Sequence, residues 1–140
     1  MVKTKILLVD ADAFVALSDP IDPSHKKAVE YKNKINAQKF SLITSDPAFG
    51  EAVTVLSQNA GLQTAIYFAE EVLKGDIEII EVDASLRRKA LDIFKKQTSK
   101  NSRFTDCVNM AILKERGLDT IFSFDIQYKK NKFKRFGIDK

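Results

Sequence analysis

The sequence predicts a three-layer α/β/α fold around a mainly parallel sheet of four or five strands. Short apolar runs bounded by polar residues recur at Lys5–Val9, Phe40–Thr44, Ile77–Val82 and Thr120–Phe124. Segments with helical apolar spacing separate them, and strands that alternate with helices pair in parallel through crossovers. The chain has 140 residues and no linker, repeat or low-complexity tract. Residues 1–140 therefore read as one domain, large enough to bury about two-thirds of the surface its unfolded form exposes.

Lys5–Val9 has the length and apolarity of a buried strand. Ala13–Ser18 follows as a short helix or turn, interrupted by Asp19-Pro20. Asp22-Pro23-Ser24 opens a helix over about Ser24–Ala37, with Pro23 suited to its first turn. After the second strand, Ser45 or Asp46 caps a helix that carries Pro47 in its first turn. That helix runs through Glu51 to about Asn59, and Gly61 separates it from a helix over Leu62–Lys74 that Gly75 ends. Beyond the third strand, Asp83 caps a helix reaching about Gln97, and Thr98–Arg103 is a polar loop. Thr105 or Asp106 begins the next helix, which ends near Arg116-Gly117. Residues around Lys134–Ile138 add a short edge strand after Thr120–Phe124.

The bulk properties exclude several classes. With 44% hydrophobic and 30% charged residues, the chain is neither disordered nor membrane-embedded, and no apolar run approaches the ~20 residues of a span. Lys3-Thr4-Lys5 leads directly into a strand rather than a signal-peptide core, so a cytoplasmic location is expected. Cys107 is the only cysteine, which excludes an intramolecular disulfide and a thiolate metal cage; it is expected to pack in the core. His25, the only histidine, lies in a polar stretch and is expected to face solvent. The net charge of +4 is modest, but its distribution is uneven. Lys129, Lys130, Lys132, Lys134 and Arg135 crowd the C-terminal tail, and Lys100 and Arg103 precede Asp106. A basic rim of this kind suits a polyanion held by its phosphates, and a solvated lysine tail is the plainer alternative.

Four acids mark the ends of strands or the starts of helices. Asp10 closes Ile6-Leu7-Leu8-Val9, and Asp125 closes Thr120–Phe124. Glu51 and Asp106 lie near the starts of apolar-periodic helices. In a parallel α/β sheet these places open onto one crevice. Carboxylates gathered there repel one another unless a cation compensates them, and an all-oxygen donor set suits Mg²⁺ or Mn²⁺. Each residue also has an ordinary role available: Asp106 as a helix cap, Asp125 as a turn residue, Glu51 as an exposed helix glutamate.

Taken in order, four blocks of the chain resemble PIN-domain ribonucleases, and in size and spacing the VapC-like toxins of toxin–antitoxin pairs. They are Val9-Asp10-Ala11-Asp12-Ala13-Phe14-Val15-Ala16-Leu17; Leu42-Ile43-Thr44-Ser45-Asp46 with Glu51 and Thr54; Arg103-Phe104-Thr105-Asp106 through Ala111 to Glu115-Arg116-Gly117; and Ile121-Phe122-Ser123-Phe124-Asp125. The resemblance implies a Mg²⁺- or Mn²⁺-dependent endoribonuclease that leaves a 3′-hydroxyl and a 5′-phosphate. It implies Asp10, Glu51, Asp106 and Asp125 as both catalytic and metal-binding residues. Asp12, Thr105 and Asn109 stand as supporting residues around them, and Lys100, Arg103, Lys129 and Lys130 as RNA contacts. Two positions depart from the family pattern: Ala11 stands where Thr or Ser is frequent, and Asp12 where Ser or Asn is frequent. Asp12 adds a negative charge whose place is open: beside the metal, among its ligands, or turned away to cap a helix.

The resemblance further implies a cognate antitoxin and a homodimer. For the dimer, the apolar and aromatic residues between Val53 and Leu73, including Tyr67 and Phe68, are candidates, although most are expected to pack in the chain's own core. A non-catalytic PIN-like interaction module is the alternative of a different class. An Asp-based phosphatase explains Asp10-Ala11-Asp12 but lacks an acidic partner beside Asp125, and a phosphoacceptor domain leaves Glu51 and Arg103–Asp106 unexplained.

Overall fold

The computed structural model describes residues 5–140; Lys3 and Thr4, read above as the polar lead into the first strand, lie outside them. Among the described residues five strands form one sheet: β1 (Ile6–Val9), β2 (Ser41–Ser45), β3 (Glu78–Ile80), β4 (Thr120–Phe122) and β5 (Lys134–Arg135). Their order is β3-β2-β1-β4-β5 and every neighbouring pair is parallel. Among the described residues the helices are α1 (Ala11–Ser18), α2 (His25–Ala37), α3 (Asp46–Ala60), α4 (Leu62–Lys74), α5 (Ala84–Lys95), α6 (Phe104–Glu115) and α7 (Ile126–Lys130). The chain builds outward from β1 to β3, then returns to lay β4 on the other side of β1. The topological switch point therefore lies between β1 and β4, and the crevice at their carboxyl ends is the place such a sheet offers a ligand.

The alternation of side chains along β1 and β4 divides the core in two. Leu7, Val9 and Phe122 pack with residues of α1 to α4, including Phe14, Ile35, Leu56 and Phe68. Leu8 and Ile121 pack on the opposite face with Leu86, Val108, Ile112 and Tyr128. This is the expected three-layer arrangement, and α6 is its most enclosed helix, with every residue from Asp106 to Leu113 buried.

Several local expectations are corrected. α1 starts at Ala11 rather than Ala13, because Asp10 is its N-cap and accepts from the Ala11 amide. Pro23 precedes α2 instead of occupying its first turn: Asp22 accepts from Ser24 N through its side chain and from His25 N through its carbonyl, closing a turn there. α6 begins at Phe104 rather than at Thr105 or Asp106; its N-cap is Arg103, Thr105 lies inside the helix, and Asp106 caps from the first turn by accepting from the Arg103 amide. His25 is not solvent-facing, since Nδ1 lies 2.7 Å from the Ala16 carbonyl and ties α2 to α1. α7 was not anticipated: Asp125 caps it by accepting from Gln127 N at 2.9 Å, which stops β4 at Phe122. Cys107 is buried as expected, and burial pushes its thiol up to about 11.

The C-terminal turn approaches the sheet closely. Gly137 has φ +78°, and a Cβ there would lie 2.5 Å from the Tyr31 ring, so only glycine fits. Tyr31 in turn stacks on Phe124 at 6.0 Å. Arg135 donates to the Phe124 carbonyl at 3.1 Å and is gripped by Asp139 through Nε at 2.8 Å and Nη2 at 3.1 Å. The tail thus braces the segment that follows β4.

Candidate active site

At the switch point the chain turns from β1 straight into α1, which puts Asp10 at a strand end and a helix start together. Asp10 Oδ1 accepts from Ala11 N at 2.8 Å and from Asn109 Nδ2 at 3.1 Å. Its Oδ2 lies 3.1 Å from Ser123 Oγ and 3.0 Å from the Tyr128 hydroxyl. Asp106, in the first turn of α6, accepts from Arg103 N at 3.3 Å and faces the same Tyr128 hydroxyl at 3.3 Å. The capping role and the site role of Asp106 therefore coexist, one on each oxygen.

A hydrogen-bond chain sets the donors. Ser45 Oγ accepts from Ala48 N at 3.2 Å, so its proton goes to Asn109 Oδ1 at 2.7 Å. That fixes the Asn109 amide with its NH₂ toward Asp10 and the Tyr128 oxygen, at 3.1 and 2.9 Å. Asn109 is completely buried and is a direct partner of Asp10, not a solvent-facing residue. Tyr128 then has one proton for two carboxylates.

Asp12 points into the site. Its Oδ2 accepts from Phe124 N at 2.9 Å, and both its oxygens lie within 3.2 Å of Ser123 Oγ, at 3.1 and 3.2 Å. Ser123 Oγ accepts from Asp125 N at 3.1 Å, so its single proton faces Asp10 and Asp12 together. Asp125 is half-buried at the N-cap of α7.

The electrostatics match this crowding. Burial, above all, raises Asp10 above its ordinary range, opposed by the hydrogen bonds from Ala11, Tyr128 and Ser123 and reinforced by repulsion from Glu51. Burial and then repulsion from Asp10 push Asp12 up to about 8. Burial, then repulsion from Asp10 and from Asp125, pushes Asp106 up to about 7. Tyr128 is likewise raised by burial and by Asp10 and Asp106, so it stays a neutral donor.

Glu51 stands apart from these bonds. It forms an ion pair with Arg103, 3.1 Å from Oε1 to Nη1, at the edge of a cleft of about 320 Å³ that also reaches Asp12 and Phe124. The Arg103 side chain is 68% exposed, and an exposed pair of this kind contributes little, about 0–1 kcal/mol, so the arginine is free to exchange partners. Thr105 is half-buried on α6. Lys129 lies 3.9 Å from Asp139, and Lys100 and Lys130 are exposed. Gln97, Ser102, Gln127 and Asn131 hydrogen-bond one another and tie the loop carrying Lys100 to α7 carrying Lys129 and Lys130.

Ser45, Ser123 and Tyr128 were not selected from the sequence. Ser123 had a signal, a hydroxyl interrupting the apolar run Ile121–Phe124. Tyr128 had none, because only the unanticipated α7 turns it inward.

Comparison with known proteins bears on the fold and the family. The 23S rRNA-specific endonuclease VapC20 of Mycobacterium tuberculosis is 24% identical over 121 residues, spanning 86% of this chain and 89% of that protein, in the CDC 1551 / Oshkosh and ATCC 25618 / H37Rv strains alike. The crystal structure of Mycobacterium tuberculosis VapC20, described as a sarcin-ricin loop cleaving toxin, superimposes with a TM-score of 0.80 at 23% identity over 92% of this chain and 96% of that one, a likeness of fold. The PIN domain model matches residues 7–134, from the strand that ends at Asp10 to the edge strand beyond Tyr128, and the chain belongs to the PIN domain family.

Proposed function

We propose that this protein is a divalent-cation-dependent endoribonuclease acting in the cytoplasm as the toxin of a toxin–antitoxin pair. The observation that carries this reading is the meeting of Asp10 and Asp106 on one phenolic proton at the switch point, with Asp12 and Asp125 beside them. One proton from Tyr128 and one from Ser123 serve carboxylates that burial already destabilises, which is a deficit a cation removes. Among the described residues no three carboxylate, imidazole or thiolate groups stand ready to chelate one ion. Mg²⁺ does not require that, since it is commonly held by one or two carboxylates, waters and substrate phosphates. Asp10 and Asp106 would hold Mg²⁺ or Mn²⁺, with Asp125 and Glu51 at its flanks.

The cation, when bound, supplies Lewis acidity and lowers the pKa of a water beside the scissile phosphate. The chain supplies the rest. Asn109, Ser123 and Tyr128 hold Asp10 in one orientation by hydrogen bonds from three different elements. Asp125 would orient the attacking water and take its proton. Arg103, released from Glu51, meets a backbone phosphate, and Lys100, Lys129 and Lys130 extend the basic contact along the strand. Attack by water at phosphorus breaks the bond to the 3′-oxygen, which takes a proton from solvent and leaves as a 3′-hydroxyl, and the 5′-phosphate remains on the downstream fragment.

The test is incubation of the purified protein with total RNA, and with ribosomal RNA first because VapC20 is named for 23S rRNA. Discrete fragments bearing 5′-phosphates are expected with Mg²⁺ or Mn²⁺ and none with EDTA. Absence of both cleavage and Mn²⁺ binding would leave the non-catalytic scaffold instead.

An antitoxin closing the cleft and a second copy of the chain are the proposed protein partners. For the second copy the structure separates the candidates. Phe68 is 6% exposed and packs on Phe14 and Phe49, whereas Tyr67 and Leu73 on the same helix are 66% and 67% exposed. Leu73→Glu is expected to convert a dimer to a monomer in hydrodynamic mass with little loss of thermal stability. Phe68→Glu is expected to destabilise the chain itself by about 3 kcal/mol or more, because it removes a core ring and buries a charge. A wild-type monomer would remove the dimer.

A further inference from the structure

The cleft beside the carboxylate centre has chemistry that the phosphodiester reaction does not use. It is bounded by α1, by the turn before α2, by α3 and by the segment after β4. Its volume of about 320 Å³ lies at the small end of the ~300–1,000 Å³ range of ligand sites, suited to one nucleoside rather than a duplex. Phe124 forms part of its wall, with Tyr31 stacked on the ring at 6.0 Å and 29° without itself reaching the cleft. Asp22 forms another part. Its Oδ1 accepts from Ser24 N at 2.8 Å, and among the described residues no protein donor meets its second oxygen. Arg103 and Glu51 lie paired at the edge toward Asp106.

A phosphate does not suit this interior, because Asp12, Asp22 and Glu51 all line it and, among the described residues, Arg103 is its single basic lining residue. A nucleobase does. An aromatic ring held from behind offers a stacking surface, and unpaired bases splayed from single-stranded RNA are recognised by such rings together with hydrogen bonds to their edges. A carboxylate accepts only, so it selects a base edge made of donors. Guanine presents two adjacent donors, its ring N1–H and its exocyclic amine, which match two carboxylate lone pairs. Resting on the nuclease reading above, we propose that this cleft holds an unpaired guanine next to the scissile phosphate, with Phe124 as its stacking wall and Asp22 as its specificity residue. Arg103 then spans both functions, leaving Glu51 for the phosphate that joins the captured nucleoside to the site of cleavage.

The test reads binding directly. Guanosine, inosine, uridine and N-acetyl-argininamide are titrated into ¹⁵N-labelled protein in EDTA, with amide shifts followed by NMR. Guanosine is expected to perturb the amides of Asp22, Ser24 and Phe124 and to bind about tenfold more tightly than inosine, which lacks the exocyclic amine. Asp22→Asn is the control variant, since asparagine keeps the acceptor that closes the turn and replaces the outward oxygen with a donor. It is expected to fold normally and to erase the preference for guanosine over inosine. Equal affinity for uridine, shifts at another surface, or an unchanged preference in Asp22→Asn overturns the proposal. Matching shifts from N-acetyl-argininamide at equal affinity also overturn it, because they assign the cleft to a cationic side chain of a protein partner. The outcome is independent of cleavage: a protein that binds guanosine as described but cuts no RNA keeps this site and loses the nuclease reading.

Discussion

Asp10→Asn is expected to lower cation-dependent RNA cleavage by about a thousandfold, on the order of 4 kcal/mol of transition-state stabilisation, in a protein that still folds. The fold survives because asparagine satisfies every bond that Asp10 makes. Its Oδ1 still accepts from Ala11 N and Asn109 Nδ2. Its NH₂ donates to the oxygens of Ser123 and Tyr128, whose own protons then turn to Asp12 and Asp106. The substitution removes a buried carboxyl whose charged form burial disfavours, so the melting temperature at alkaline pH without metal should rise by several degrees. Cleavage rate and thermal melting are measured on the same preparation. Loss of activity together with a lower melting temperature would mean that Asp10 serves the fold rather than the reaction. Full activity would remove it from the proposed centre.

Without divalent cation, stability is expected to fall as pH rises from about 4 to about 8. The sign follows from proton counting. Asp10, Asp12 and Asp106 are all raised in the folded state, with Asp12 near 8 and Asp106 near 7, against 3.8 when exposed. Across that window the unfolded chain binds fewer protons than the folded one, so each step up in pH favours unfolding. Asp139 behaves oppositely. Its hydrogen bond to Arg135 holds it down near 2, so its contribution is present above about 4 and is lost only in acid, outside the window. Mn²⁺ substitutes for the retained protons, and because ligands must be deprotonated to bind it, its stabilisation should grow with pH. Melting temperatures from pH 5 to 9 in EDTA and in Mn²⁺ are therefore expected to converge at the acid end and separate at the alkaline end. Asp12→Asn should flatten the EDTA curve. A flat EDTA curve in the parent protein would contradict the mutual burial of these carboxyls.

Much of this architecture was legible from local pattern. A four-residue apolar strand, a proline at the start of α3 or a glycine between α3 and α4 is specified by sterics and burial within a few residues. The placement of Asp10 at a strand end and of Asp106 in a helix first turn follows from the same short-range rules, and their convergence follows once the sheet is parallel. Local departures came where a side-chain hydrogen bond decided the outcome. Thr105 has the chemistry of a cap, but Asp106 takes the Arg103 amide and α6 starts earlier. His25 lies among polar residues, but the packing of α2 on α1 gives it the Ala16 carbonyl.

By itself the sequence determined a parallel α/β domain with acids at the carboxyl ends of β1 and β4, because strand length, burial and helix signals are properties of neighbouring residues. Only the tertiary structure decided how those acids are held. Ser45 orients Asn109 across 64 positions, Asn109 reaches Asp10 across 99, and Tyr128 reaches it across 118. It also decided that Asp12 faces inward and that Phe124 and Asp22 share a cleft. Such contacts depend on which side chains the sheet order brings within 3 Å or so, and hydrogen-bond geometry at that range is set by the packing of distant elements rather than by any spacing along the chain.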